Sequence, residues 1–153
     1  STLINIYGIK TGAGMKTKLA IGDADAIIAQ VNSHDLKHQE ALVLANKLLV
    51  LQVRVVYPVT AITEAVTHIQ RVLNSGATAY GILHLMLGKG VEVVEVNRQV
   101  LTNALKYFSP SASKKNTLFD CIVAAVAEDN NADAIFSFDG FYKKSGFKLA
   151  SEL

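Results

Sequence analysis

The sequence predicts an α/β fold, a three-layer α/β/α sandwich with a central parallel sheet. Four short runs of β-branched or aromatic residues are separated by longer segments whose apolar residues recur at helical spacing. Strands that alternate with helices are typical of a parallel sheet covered by helices on both faces. The chain has 153 residues, half of them hydrophobic, which suits a single domain with a sizeable core.

The predicted strands are apolar runs too short to form helices. They are KLAIGD (18–23), VRVVY (53–57), VEVVEV (91–96) and AIFSF (134–138), with FKLA (147–150) as a candidate edge strand. The predicted helices cover 34–52, 61–74, 77–90, 97–108 and 117–130. In such sheets ligands bind beyond the carboxyl ends of the strands, where the strand order switches. Polar residues at these ends are therefore the first candidates for a functional site.

Residues 15–153 are predicted to form the single domain, with MKTKLAIGD as its natural start. The preceding residues 1–14 differ in character and are either an expression remnant or an N-terminal extension. Cys121 is the only cysteine, so no intrachain disulfide can form, and a reducing, cytoplasmic location fits. No apolar run is long enough to span a membrane. The net charge of +2 is too small to indicate nucleic-acid binding by itself.

Four acidic residues stand at strand ends or helix starts. Asp23 follows the first predicted strand and Asp139 the fourth, whereas Glu64 and Asp120 lie early in apolar helices. Taken singly, Asp120 and Glu64 are explained by the favourable field at a helix N-terminus. Together the four acids can converge at one edge of the sheet, where like charges repel unless a cation neutralises them. A hard divalent cation such as Mg²⁺ suits carboxylate ligands, and no Lys or Arg adjoins any of the four in the sequence.

The order of three segments resembles the PIN-domain family. IGDADAIIAQVNSHDLKHQEA resembles the opening of the family, TEAVTH its Thr/Ser–Glu helix start, and LFDCIVAAVAEDNNADAIFSFDGFYKKSGFKL its C-terminal third. The resemblance extends over about residues 16–150. It implies a ribonuclease that hydrolyses phosphodiester bonds with Mg²⁺ or Mn²⁺. Small single-domain members of this outline are commonly the toxins of VapBC-type toxin–antitoxin pairs.

The resemblance also implies roles for individual acidic residues. The catalytic quartet would be Asp23, Glu64, Asp120 and Asp139. The three aspartates would bind the metal directly or through water, and Glu64 would be a further ligand or would accept a proton from water. Ser137 would be a supporting donor behind the ligands. Asp25 stands where the family often has Ser, Thr or Asn, and it is a ligand, a supporting group or directed away.

Cations and aromatic residues flank these acids. The cations predicted to bind RNA are Lys114, Lys115, Lys143 and Lys144. Arg71 follows Glu64 by two helical turns, and Phe141 and Tyr142 are candidates for stacking on bases. The family commonly dimerises and is held inactive by a partner peptide, so a homodimer and an antitoxin are expected partners. The segment AYGILHLMLGKG (79–90) has more apolar surface than one helix face needs, which suits core packing or such a contact.

Two alternative functions remain open. An apolar strand followed by Asp-x-Asp also occurs in haloacid-dehalogenase-like phosphatases, in which Asp23 would be the nucleophile and Asp25 the second acid. That family also needs a lysine-bearing motif and a late acidic pair, and the Ser-x-Asp-x-x-Phe ending fits the PIN family better. The other alternative is a non-catalytic RNA- or protein-binding module on a PIN scaffold, although no acid of the quartet is missing.

Overall fold

Four parallel strands form the central sheet, in the order β3–β2–β1–β4. Their bounds are Leu19–Gly22 for β1, Arg54–Pro58 for β2, Glu92–Val94 for β3 and Ala134–Phe136 for β4. The computed structural model describes residues 16–111 and 114–153, so the predicted N-terminal segment 1–14 lies outside the described residues. The chain adds β2 and β3 on one side of β1 and then crosses to the other side for β4. The strand order therefore switches between β1 and β4.

Seven helices and a short 3₁₀ turn accompany the sheet in the described part of the chain. They are α1 (Ala24–Val31), α2 (His38–Val50), α3 (Val59–Leu73), α4 (Gly76–Met86), α5 (Arg98–Ala104), α6 (Leu118–Asp129), α7 (Phe141–Lys144) and the 3₁₀ turn Ala150–Glu152. Side-chain caps fix several of their starts. The Ser75 side chain accepts from Thr78 N at the start of α4, and Asn97 accepts from Val100 N at the start of α5.

Alternate residues of each strand face opposite sides of the sheet, so the two faces pack on different helices. Ile21 is fully buried in the cluster that α5 and α6 form on one face. Its neighbour Ala20 is buried on the other face, against α2. Tyr57 and Val93 pack with α1, α3 and α4. The predicted three-layer α/β/α sandwich with a central parallel sheet is confirmed.

Several local predictions differ from the structure. The helices predicted over 77–90 and 97–108 end four residues early, at Met86 and Ala104. Helix α1 was not predicted, because its eight residues give too little periodic pattern. Helix α2 begins four residues later than expected, because residues 32–37 form turns in which the Asp35 carboxylate accepts from Lys37 N. The candidate edge strand 147–150 is reduced to one parallel bridge between Ile135 and Leu149, followed by the 3₁₀ turn. No helix within residues 16–111 and 114–153 is long and apolar enough to cross a membrane.

Candidate active site

The switch in strand order brings the first and last predicted acids to one edge of the sheet. Asp23 directly follows β1, and its backbone N–H donates to the Phe136 carbonyl at the end of β4, at 3.0 Å. The turn after β4 then carries Ser137 and Asp139. Asp23 is only 4% exposed, and its Oδ1 accepts from Ala24 N at 2.7 Å as the N-cap of α1. Helix capping thus occupies one oxygen of Asp23 and leaves Oδ2 facing the interior of the site.

The two carboxylate oxygens of Asp120 also have different partners, one in a helix cap and one in the site. It is the third residue of α6, where its Oδ2 accepts from Thr117 N at 2.7 Å in a capping box. The other oxygen, Oδ1, lies 3.5 Å from the Tyr142 hydroxyl, which also donates to Asp23 Oδ2 at 2.7 Å. Tyr142 is completely buried. One phenol therefore bridges two of the predicted catalytic acids.

Asp25 and Ser137 organise the turn that follows β4. Asp25 Oδ2 accepts from Phe138 N at 2.8 Å and from Ser137 Oγ at 2.9 Å. The Ser137 hydroxyl also lies 3.2 Å from Asp23 Oδ2 and accepts from Asp139 N at 3.0 Å. Ser137 is thus in contact with three acids, and Asp25 is directed into the site and not away from it. The second oxygen of Asp25 is buried and has no hydrogen-bond partner in the described structure.

Asp139 and Glu64 complete the acidic group. Asp139 Oδ1 accepts from Phe141 N at 2.9 Å and Oδ2 accepts from Asn116 at 3.1 Å. Glu64 lies in the second turn of α3, beyond the free N–H groups at the helix start, so capping does not explain its position. Its Oε2 is buried and, within residues 16–111 and 114–153, has no hydrogen-bond partner.

Burial and mutual repulsion disfavour the charged forms of these acids. Burial, together with the negative charge of Asp25, raises the pKa of Asp23 well above its usual range. Burial also raises the pKa values of Asp25 and Asp120, and in both the charge of Asp139 adds to the effect. For Glu64, burial and the charges of Asp120 and Asp25 raise the pKa from 4.5 to about 7. Each of the five carboxylates is therefore close enough to at least one other for the charge of one to raise the pKa of the other.

This group of acids fits a divalent cation. The ion pairs of the described chain involve other acids, so no Lys or Arg there neutralises any of the five. Two buried carboxylate oxygens of this group, Asp25 Oδ1 and Glu64 Oε2, have no hydrogen-bond partner among the described residues. Mg²⁺ and Mn²⁺ prefer hard oxygen ligands such as these carboxylates, which no Lys or Arg of the described chain neutralises. In residues 16–111 and 114–153 no three His, Cys, Asp or Glu side chains already stand in ligating positions, so binding requires some side chains to rotate.

The sequence did not predict that Asn116 and Tyr142 contact the acids, and the prediction that Tyr142 stacks on a base was wrong. Asn116, just before α6, was overlooked as a partner of Asp139. Tyr142 was considered for base stacking, but it has no exposed surface and cannot contact a base. No local signal indicates this burial, because FYKK forms a four-residue helix with no periodicity to show its inner face. The four predicted lysines are all exposed, and Lys143 Nζ is 3.4 Å from Glu152 Oε1.

A family model described as the PIN domain matches residues 18–147, so the chain belongs to the PIN-domain family. Among solved structures, the sarcin–ricin-loop-cleaving toxin VapC20 of Mycobacterium tuberculosis has a TM-score of 0.71 at 19% identity, over 85% of this chain and 96% of that one. VapBC2 from Rickettsia felis, solved with a DNA fragment from its promoter, has a TM-score of 0.58 at 12% identity, over 86% and 96%. At these identities the similarity shows a shared fold. No curated protein matches the chain.

Proposed function

We propose that this protein is a Mg²⁺- or Mn²⁺-dependent endoribonuclease and the toxin of a type II toxin–antitoxin pair. The observation that carries the proposal is the convergence of five carboxylates that no described cation neutralises. Two of their buried oxygens have no hydrogen-bond partner in the described part of the chain. Membership of the PIN-domain family and the fold shared with VapC20 support the same chemistry.

In this proposal Asp23, Asp120 and Asp139 hold the metal, directly or through water. When bound, the ion lowers the pKa of a water molecule and offsets the charge on the phosphate. Glu64 either completes the ligand set or accepts the proton of the attacking water at Oε2, the oxygen that has no other partner. Tyr142 holds Asp23 Oδ2 in place by donating to it from a buried position.

Asp25 and Ser137 have positioning roles in the same proposal. Asp25 Oδ2 fixes the backbone of the turn at Phe138 N, and Ser137 links Asp23, Asp25 and the backbone of Asp139. The remaining Asp25 oxygen is free to join the ligand set. Asp25 thus replaces the small polar residue common in the family by a group that supports the turn and adds charge.

The surroundings of Asp23 favour this reading over phosphoaspartate chemistry. A nucleophilic carboxylate needs an oxygen that a phosphoester can approach. Asp23 is 4% exposed, with Oδ1 accepting from Ala24 N and Oδ2 accepting from Tyr142, so a bulky phosphoester cannot approach either oxygen. A small metal ion, or a water bound to it, needs only a remaining lone pair of one oxygen. The second alternative, a non-catalytic module, has no specific observation in its favour because all the acids of the quartet face one site.

RNA is the proposed substrate, and protein partners are proposed as well. Exposed cations that are near two of the acids in the sequence favour a polyanion: Lys114, Lys115, Lys143 and Lys144. An antitoxin and a second copy of the chain are the proposed protein partners. Their binding is supported by apolar side chains left exposed on and after α4, where Tyr80, Leu85 and Leu87 are more than half exposed although Met86 is buried.

Cleavage of single-stranded RNA by the purified protein tests the enzymatic proposal. We expect cleavage with Mg²⁺ or Mn²⁺, none with EDTA, and loss of at least about a hundredfold in rate for Asp23→Asn, Asp120→Asn or Asp139→Asn. Asp129→Asn is the matched control, because Asp129 lies at the opposite end of the helix that carries Asp120. Activity that survives EDTA, or survives all three site substitutions, contradicts the proposal.

A further inference from the structure

A groove adjoins the acidic site on the side of Glu64. It has a volume of about 490 Å³ and lies between α3 and the start of α6, with Ile28 of α1 also in its lining. Glu64 lines it as well, so the groove is continuous with the candidate active site. A ligand whose reacting group lies among the acids can therefore extend into this groove.

One face of α3 forms the polar wall of the groove. Thr63, Thr67 and Arg71 recur every four residues, and His68 stands one turn after Glu64, so all of them point to the same side. Arg71 is exposed and forms no ion pair with any residue in 16–111 or 114–153. Seven residues of helix place it about 10 Å along the axis from Glu64. An anionic chain that has one phosphate at the acids can thus bring another part of its backbone to Arg71.

The opposite wall of the groove presents an aromatic ring. Phe119 precedes Asp120 in α6 and is 39% exposed, although its neighbours from Asp120 to Ala127 are buried. A partly exposed ring next to an active site offers a flat apolar surface to a ligand. Aromatic rings bind the bases of single-stranded nucleic acids by stacking, largely irrespective of base identity.

We propose that this groove binds the nucleobase next to the scissile phosphate, with Phe119 as the stacking surface and Arg71 as a contact to the sugar–phosphate backbone. The proposal rests on the ribonuclease function proposed above and adds a subsite that the acids alone do not define. The polar face of α3 and the Arg71 guanidinium, which has no ion-pair partner among the described residues, favour a nucleic acid over an apolar peptide segment. The protein accordingly requires an unpaired, accessible base, which restricts it to single-stranded RNA or loops.

The test compares binding of a short oligoadenylate with binding of a matched oligomer whose nucleotides lack bases, measured by fluorescence anisotropy. Ca²⁺ replaces Mg²⁺ to slow hydrolysis, and a gel verifies that the oligomers stay intact. We expect the wild-type protein to bind the base-bearing oligomer roughly tenfold more tightly. Phe119→Leu should reduce that ratio to about one and leave affinity for the abasic oligomer unchanged. Arg71→Gln should weaken binding of both oligomers and lower the slope of log Kd against log salt by about one.

Two control variants separate the groove from general surface effects. Phe108→Leu removes an aromatic ring of similar exposure, 43%, that does not line the groove. Lys89→Gln removes an exposed charge before β3, at the opposite edge of the sheet. An unchanged base preference in Phe119→Leu, or an equal loss in Phe108→Leu, overturns the proposal. So does unchanged RNA affinity in Arg71→Gln, the result expected if the groove instead binds a protein partner. Failure of the ribonuclease function itself appears separately, as absence of RNA cleavage by the wild-type protein with Mg²⁺ or Mn²⁺.

Discussion

Replacing Glu64 by glutamine should stabilise the metal-free protein at neutral and alkaline pH. The pKa of Glu64 is raised from 4.5 to about 7 by burial and by the charges of Asp120 and Asp25. The folded protein therefore holds this proton more tightly than the unfolded chain does. Its free energy of unfolding falls as the pH rises from about 4.5 to 7, and the cost is fully present above pH 7.

The size of the effect follows from the pKa shift. At about 1.4 kcal/mol per pKa unit, the undiminished rise in the pKa of Glu64 corresponds to roughly 3.5 kcal/mol. Glu64 is partly exposed, so solvent screening reduces this figure, and we expect about 1–2 kcal/mol. For a domain of this size that is a rise of about 2–8 °C in Tm.

Thermal denaturation in EDTA at pH 8 and at pH 4.5 tests this prediction. Glu64→Gln should be more stable than wild type at pH 8, and the difference should vanish at pH 4.5, where the wild-type side chain is largely protonated in the folded state. Glu95→Gln, an exposed glutamate after β3, is the matched control and should show little change. If the difference in stability between Glu64→Gln and wild type is the same at pH 8 and at pH 4.5, the electrostatic reasoning is refuted.

Two further predictions concern a buried phenol and the surface cations. Tyr142→Phe should lower the free energy of unfolding by about 2 kcal/mol in urea denaturation, because a fully buried hydroxyl then no longer donates to Asp23. Unchanged stability would mean that this hydrogen bond makes no net contribution to the free energy of unfolding. Glutamine at all four predicted RNA-binding lysines should weaken RNA binding and flatten its salt dependence, lowering the slope of log Kd against log salt by about 2–3. An unchanged slope would show that these lysines do not contact RNA. The four are Lys114, Lys115, Lys143 and Lys144.

The layered fold and the convergence of the acids could be predicted because they depend on pattern and topology. Short β-branched runs separated by amphipathic segments lead to a parallel sheet, and the carboxyl ends of its strands share one edge. Asp23 and Asp139 follow the two strands that flank the switch in strand order, so their proximity follows from the strand order alone. Asp120 has a local explanation in its capping box, yet it also turns Oδ1 to Tyr142.

Features that depend on tertiary packing could not be predicted. Tyr142 is buried in the apolar cluster that α5 and α6 form on the sheet, and its hydroxyl contacts the two acids it bridges, none of which FYKK alone shows. Asp25 is next to Asp23 in the motif, but its role in the turn depends on Phe138 N, more than a hundred residues away in sequence. The groove beside Glu64 needs α3 and α6 to be placed side by side, so Phe119 and Arg71 had no visible connection in the sequence.

The most direct test of the account is a titration of the purified protein with Mn²⁺, with free Mn²⁺ followed by electron paramagnetic resonance. This titration asks whether the five acids form one metal-binding site. We expect saturable binding by wild type, at least tenfold weaker binding by Asp120→Asn and Asp139→Asn, and unchanged binding by Asp129→Asn. Absence of saturable Mn²⁺ binding by the folded wild-type protein, or equal binding by all these variants, would contradict a metal site shared by the five acids.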